Sequence, residues 1–387
     1  MRDGWVEYKF KDVATAVKGK LPKNKNEDGI GIPYLTANFL RSSKPDYWIE
    51  NIEGAVTAED GDCLILWDGA GAGDLFSAHR GVVSSTMAVV TTQNSKILRE
   101  FLTLFISSKA EYIKETCRGT TVPHVSPDAI ANMDLKIPPL SEQKRIVDLI
   151  SSVDSYIEAL QQQLESAKKS RNAVLHELLT AGGDDWEYKT LSDICEVRDG
   201  THDSPKPSHE GFALVTSKNI KDGKLDLESA YLISPQDYIE VNKRSKVEQF
   251  NLLISMIGTI GEVIVIENKP NFAIKNVGLL KSTEPILSRY LCHYLGSQLG
   301  KNAISLSVSG STQKFISLGK LRGLPVLYPP RENQKAIVEA MSLFDQQISK
   351  NLEVATRIKN LRSSMLSDLL SGEHQIPDSY DKVIGAA

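Results

Sequence analysis

The sequence is short of the signatures that mark an enzyme. It has no Gly-x-x-x-x-Gly-Lys-[Ser/Thr] loop to cradle nucleotide phosphates and no Gly-x-Ser-x-Gly elbow to expose a nucleophile. The glycine-rich run Asp68-Gly69-Ala70-Gly71-Ala72-Gly73 brings its third glycine one residue too early for a dinucleotide fingerprint, and it reads as a turn. Cysteine is scarce: Cys63, Cys117, Cys195 and Cys292 stand far apart, with no Cys-x-x-Cys pair and no zinc-ligand spacing. That excludes a disulfide scaffold or zinc module and points to reduced thiols. Cys292 and His293 adjoin, but they sit in an apolar helical run and read as core or surface residues, not as a nucleophile and its base. No apolar run is long enough to span a membrane, and Met1-Arg2-Asp3-Gly4-Trp5 does not open an apolar signal core. A cytoplasmic protein is the expectation. Excess positive charge is missing too. With a net charge of −4, any polyanionic partner must be met by local basic loops.

Two long helices carry the organisation of the chain. From Ser141 to Ala181, Ile146, Ile150, Val153, Ile157, Leu160, Leu164, Ala167, Val174 and Leu178 recur in alternating steps of four and three, except where Arg171 falls on the seam. That spacing predicts a helix about 60 Å long that packs along a narrow stripe against another helix. Pro138-Pro139 precede it, Ser141 can cap it, and Gly182-Gly183 can end it. The stretch returns without a gap 191 residues later: Pro329-Pro330, Gln334-Lys335, Ile337-Val338, Asp345, Ile348, Arg362 and Leu369-Leu370 repeat Pro138-Pro139, Gln143-Lys144, Ile146-Val147, Asp154, Ile157, Arg171 and Leu178-Leu179. Along the second copy the seam falls on Ile337, Met341, Phe344, Ile348, Ile358 and Met365. A period this long is not that of a solenoid and predicts a duplicated unit of one domain plus one helix.

The globular parts repeat as well, with a changing offset. Trp186, Asp193 and Gly200 follow Trp5, Asp12 and Gly19 by 181 residues, Gly211 and Thr216 follow Gly31 and Thr36 by 180, and Asn219 falls opposite Asn38. Leu252–Met256 with Gly258-Thr259-Ile260-Gly261 answers Cys63–Gly73, and Ser309-Gly310-Ser311-Thr312 answers Arg118-Gly119-Thr120-Thr121 at the full offset of 191. Insertions therefore lie in the globular halves while the helices keep register. Loops on a rigid scaffold are where binding specificity is placed, and two different loop sets imply two different targets. The expected layout is a first domain over 1–138, a helix over 139–183, a second domain over 184–329, a second helix over 330–372, and a fraying polar tail over 373–387.

The polar, turn-rich loops are the candidates for binding. In the first half they hold Lys18, Lys20, Lys23 and Lys25, then Asn38, and then Arg118, Thr120, Thr121 and His124. In the second they hold Arg198, Thr201, His202 and Lys206, then Lys218 and Asn219, then Thr259, and then Ser311, Thr312, Gln313 and Lys314. Such groups suit phosphates and base edges. With the Pro-Pro and Gln-Lys-x-Ile-Val helix starts, Asp199-Gly200-Thr201-His202 and Gly258-Thr259-Ile260-Gly261, this pattern resembles the DNA-specificity subunit of type I restriction–modification enzymes over about residues 4 to 372. The first half departs from the family string, with Lys18-Gly19-Lys20 where the second has Asp-Gly-Thr-His.

The resemblance implies an α+β fold with two β-rich target-recognition domains, two long antiparallel helices and a pseudo-twofold repeat. Each domain would read one half of a bipartite double-stranded DNA site. The helices would set the spacer and dock two methyltransferase subunits. Those partners would use S-adenosylmethionine, and a restriction subunit would use ATP and Mg, so this chain would bind no cofactor or metal and catalyse nothing. Two other classes stay open at this point: an adaptor whose halves bind proteins, and an enzyme whose site is assembled from loops.

Overall fold

The computed structural model describes residues 4–384 apart from 23, 93, 120, 184, 311–313 and 378. The chain forms two compact units, one of residues 1–161 with 353–387 and the other of residues 162–352. Both boundaries fall inside the long helices, Leu140–Thr180 and Arg331–Ser371, so each unit holds one globular domain and a segment of each helix. Among the described residues no helix is long and apolar enough to cross a membrane.

The two domains share one α+β plan. In the first, an antiparallel sheet runs in the order Thr15–Lys18, Met87–Thr91, Cys63–Leu66, Leu75–Ser77. In the second, Glu196–Asp199, Val277–Lys281, Leu252–Ser255 and Val263–Val265 take the same order. The central strands are apolar on both faces, as strands covered on both sides must be: Cys63–Leu66 and Leu252–Ser255 are buried throughout. A smaller sheet follows in each, built on a parallel pair, Ile32–Leu35 with Gly81–Val83 and Phe212–Val215 with Ala273–Ile274. A two-stranded ribbon closes each domain before its helix, Val6–Lys9 with Asp134–Ile137 and Glu187–Thr190 with Pro325–Tyr328. The second domain also carries the helix Pro235–Ser245. Among the described residues no helix lies between the first domain's strands Trp48–Ile49 and Cys63–Leu66.

The repeated Gln-Lys explains itself at the helix starts. Gln143 is fully buried, its Nε2 donating to the carbonyls of Pro138 and Lys96 at 2.8 and 2.7 Å and its Oε1 accepting from the Leu98 amide at 2.8 Å. Gln334, also buried, donates to the Pro329 carbonyl at 2.9 Å. The two prolines bring no amide donor to this corner, and the buried glutamine supplies one to the first proline's carbonyl. Ser141, expected as a cap, lies inside the first turn. The amides of Glu142 and Gln143 donate to the Pro139 carbonyl instead.

Within each unit the two helix segments run antiparallel. In the first, Ile146 and Ile150 share a core with Leu366 and Leu369, and Arg362 forks onto Asp154. In the second, Leu175 and Leu179 share a core with Ile337, Val338 and Met341, and Arg171 forks onto Asp345 at 2.5 and 3.1 Å. In both, residue numbers rise along one segment as they fall along the other. Of the seam residues, Ile157 and Leu164 are buried, Met365 and Phe344 pack against the cores, and Val153, Leu160, Ile348 and Ile358 are half-buried. Val174 corrects the expected seam: it is exposed, and Leu175 and Leu179 are buried. Past Arg171 the stripe advances by four, because 3.6 residues per turn outruns a 3.5-residue repeat.

The tail also differs from expectation. After Gly372 the chain folds back on the first unit, where Ile376 enters the core and Asp381, on the short helix Tyr380–Ile384, takes both Nε and Nη2 of Arg145 at 2.8 and 2.6 Å. Ile376, Tyr380 packed against the same core, and a forked ion pair order a segment whose polar composition suggested fraying. Residues 385–387 lie outside the described ones.

Candidate nucleic-acid interface

Two loops distant in sequence meet in each domain. In the first, the glycine-rich turn meets the segment 118–124: Asp68 bridges to His124 and His124 bridges to Arg118. In the second, Ile257 at the Gly-Thr-Ile-Gly turn bridges to Phe315, and Phe315 bridges to Ser309. The left-handed φ of Gly69, Gly71 and Gly73, and of Gly258 and Gly261, lets both turns reverse tightly enough to make this contact. The next approach is the end of the first sheet's edge strand. There Gly19 and Gly200 stand where a Cβ would collide with the carbonyls of Val83 and Ile274, so each strand passes directly under the small sheet.

The residue before each of those glycines has opposite charge in the two domains. Lys18 ends the first strand, and its ammonium pairs with Asp68 on the glycine-rich turn at 2.5 Å. Asp199 ends the second and is buried. Its Oδ1 accepts from Nη2 of Arg244 at 2.6 Å, and its Oδ2 lies 3.0 Å from Nε2 of His202. The other imidazole nitrogen lies 2.8 Å from Oδ1 of Asn276. Arg198 donates to Glu196 and to the Arg244 carbonyl, both at 2.6 Å, and Thr201 bridges to Lys275.

Several candidates are thus brought together and others are not. Lys18, Arg118 and His124 surround the first domain's glycine-rich turn. Lys25 instead sits 3.8 Å over the Tyr47 ring, and Lys20 and Thr121 are exposed. Asn38 gives its amide to both oxygens of Asp46, at 2.9 and 3.0 Å. Asn219 is a correction. It is buried, its Oδ1 accepts from Thr216 N and Oγ1 at 2.9 Å, and its Nδ2 donates to Ser229, so its amide holds a turn and cannot face a ligand. Lys206, Lys218, Thr259 and Lys314 are exposed. Lys23, Thr120, Ser311, Thr312 and Gln313 lie outside the described residues. Sequence reasoning missed Asp68, Arg244, Lys275 and Asn276. The reversal from Lys18-Gly19 to Asp199-Gly200 was the available signal for the first two.

All four thiols are held toward the protonated form by desolvation. Burial pushes Cys63, Cys195 and Cys292 up to about 12. Among the described residues no three His, Cys, Asp or Glu side chains are grouped to hold a metal. At the strand ends, Lys18 is held by Asp68 in the first domain, and Arg244 and His202 by Asp199 in the second, so these donors are fixed in direction.

The sequence profile described as "Type I restriction modification DNA specificity domain" matches residues 2–169 and again 183–359. The chain belongs to that family. It carries the specificity domain twice, which is the internal repeat seen in both sequence and fold. It is 24% identical over 400 residues to the type I restriction enzyme MjaVIII specificity subunit of Methanocaldococcus jannaschii, covering 97% of this chain and 94% of that one. It is 23% identical over 413 residues to the EcoBI specificity subunit of Escherichia coli, covering 96% and 87%. The fold is shared with the crystal structure of a type I S subunit from M. genitalium, with a TM-score of 0.55, 16% identity and coverage of 95% and 96%. It is also shared with a chain from a structural study of assembly and conformational transition in a type I system, with a TM-score of 0.57, 16% identity and coverage of 96% and 98%.

Proposed function

We propose that each globular domain of this specificity chain reads one half of a bipartite double-stranded DNA site, and that the two long helices set the unread spacer and dock two methyltransferase subunits. The observation that carries this reading is the paired loop meeting. One scaffold, used twice within a DNA-specificity family, brings a glycine-rich turn against the same returning segment, while the neighbouring edge strand ends on Lys18 in one domain and on Asp199 with Arg244 and His202 in the other. A shared scaffold with different polar groups is what two unlike half-sites require. The reacting chemistry belongs to the partners: S-adenosylmethionine for methylation of adenine and, where a restriction subunit joins, ATP with Mg for cleavage. This chain supplies the address.

Mapping methylated adenines in a host that expresses the chain with its modification subunit tests the reading. The expected result is one split motif with a fixed gap. Exchanging residues 185–328 for those of a relative should change one half of the motif and leave the other half and the gap alone. A change in both halves, or methylation independent of this chain, overturns the reading.

A further inference from the structure

We propose that Arg244 is a base-reading residue of the second domain, and that the buried carboxylate of Asp199 is the positioning residue that aims it beside His202. This rests on the reading that the second domain binds DNA. Asp199 has a side chain only 5% exposed, whereas Arg244 and His202, its partners, are 59% and 65% exposed. A buried carboxylate must be paired to be stable, but that requirement does not call for two partners that both stay mostly in solvent. Here a buried acid grips each partner by one nitrogen and leaves the rest of each at the surface. Gripping one nitrogen of a long side chain removes rotamers before any ligand arrives, which lowers the ordering cost of a contact.

The surroundings over-determine the arrangement. Arg198 donates to the Arg244 carbonyl and ties the end of helix Pro235–Ser245 to the strand that carries Asp199. Asn276, itself in a left-handed conformation, meets the far side of the imidazole. The first domain has Lys18 at the position of Asp199, paired with Asp68. The Asp199–Arg244 device is therefore private to the second domain, as a reader of a different half-site must be. An oriented guanidinium meets the two acceptors on the major-groove edge of guanine with two fixed, parallel donors, where a lysine offers one freely rotating ammonium.

The test takes the full chain assembled with its modification subunits and selects bound duplexes from a random-sequence DNA pool. Arg244→Lys keeps the charge at an exposed position. It is expected to lose preference for guanine at one position of the second half, by roughly tenfold or more, with the first half, the gap and the salt dependence kept. Asp199→Asn should relax the same position, and the double variant should relax it no further than Arg244→Lys alone. An unchanged motif in Arg244→Lys, or uniform weakening on all sequences, overturns the proposal, since Arg244 would then be a bystander or a phosphate anchor. If Asp199→Asn erases the whole second half and lowers the melting temperature while Arg244→Lys leaves the motif intact, the contact only holds the fold and the proposal fails. A wild-type complex that selects no second half at all would instead sink the DNA-reading assignment itself.

Discussion

Gln143, buried, and His293, half-buried, are polar side chains whose roles follow from their immediate partners. Gln143 joins three backbone groups around the Pro138-Pro139 corner. Replacing it with Ala would strand the Leu98 amide and two carbonyls, so Gln143→Ala should lower stability by about 1–3 kcal/mol in urea unfolding. Gln334→Ala should cost less, because among the described residues its bond is to the Pro329 carbonyl alone. His293 lies 3.1 Å from the Arg171 guanidinium, and burial together with that positive charge holds its imidazole down at about 4. An imidazole in the unfolded chain titrates near 6.5. As pH falls between these values the unfolded chain takes the proton first, so the contribution of neutral His293 is full above about pH 6.5 and is lost on the way to pH 4. His293→Asn should therefore flatten the decline in stability over that window. Unfolding curves of equal pH dependence for the two proteins would contradict the assignment.

The long helices are locked by ion pairs that map onto each other through the repeat. Asp154 recurs as Asp345 and Arg171 as Arg362, and the pairs formed are Asp154 with Arg362 and Arg171 with Asp345. Read along one strand of sequence, Arg171 interrupts an apolar seam. Read with an antiparallel partner, it meets the acid of the other copy. Asp154→Ala would leave the half-buried Arg362 unpaired and should cost on the order of 1–3 kcal/mol, between the values for exposed and fully buried pairs. Exchanging the charges, Asp154→Arg with Arg362→Asp, should recover most of that loss. A thermal melt in which the exchange is as unstable as the single change would show that the pair does not hold the register. The helices were legible in the sequence because their signals are local: prolines, a four-three spacing and an ungapped repeat. The docked tail was not, because it is ordered by Ile376 and Tyr380 on a distant core and by a forked pair between Arg145 and Asp381, 236 residues apart. The Asp199–Arg244 contact was hidden for a related reason. Its partners lie 45 residues apart, and one of them sits on a helix with no counterpart among the described residues of the first copy. Asn219 misled because an amide suited to reading adenine is equally suited to closing its own turn.

For the molecule as a whole, the globular halves differ by insertions while the helices repeat without a gap, so target and gap should be separable by mutation. The unit boundaries fall within the helices, between 161 and 162 in the first and between 352 and 353 in the second. Those are matched places to lengthen both helices without cutting into either domain's core. A heptad inserted at each would add about 10 Å of helix while returning the apolar stripe to nearly the same face. The pairs Asp154–Arg362 and Arg171–Asp345 each lie within one unit, so both should survive the insertion. If the helices set the gap, the methylated motif should keep both of its half-sequences and gain about three unread base pairs, at about 3.4 Å each along the duplex. The measurement is again a map of methylated adenines in a host carrying the lengthened chain and its modification subunit. A folded, partner-bound variant that still methylates the original gap would mean that the spacing is imposed by the partner subunits, and that these helices serve only to hold the two domains in one chain.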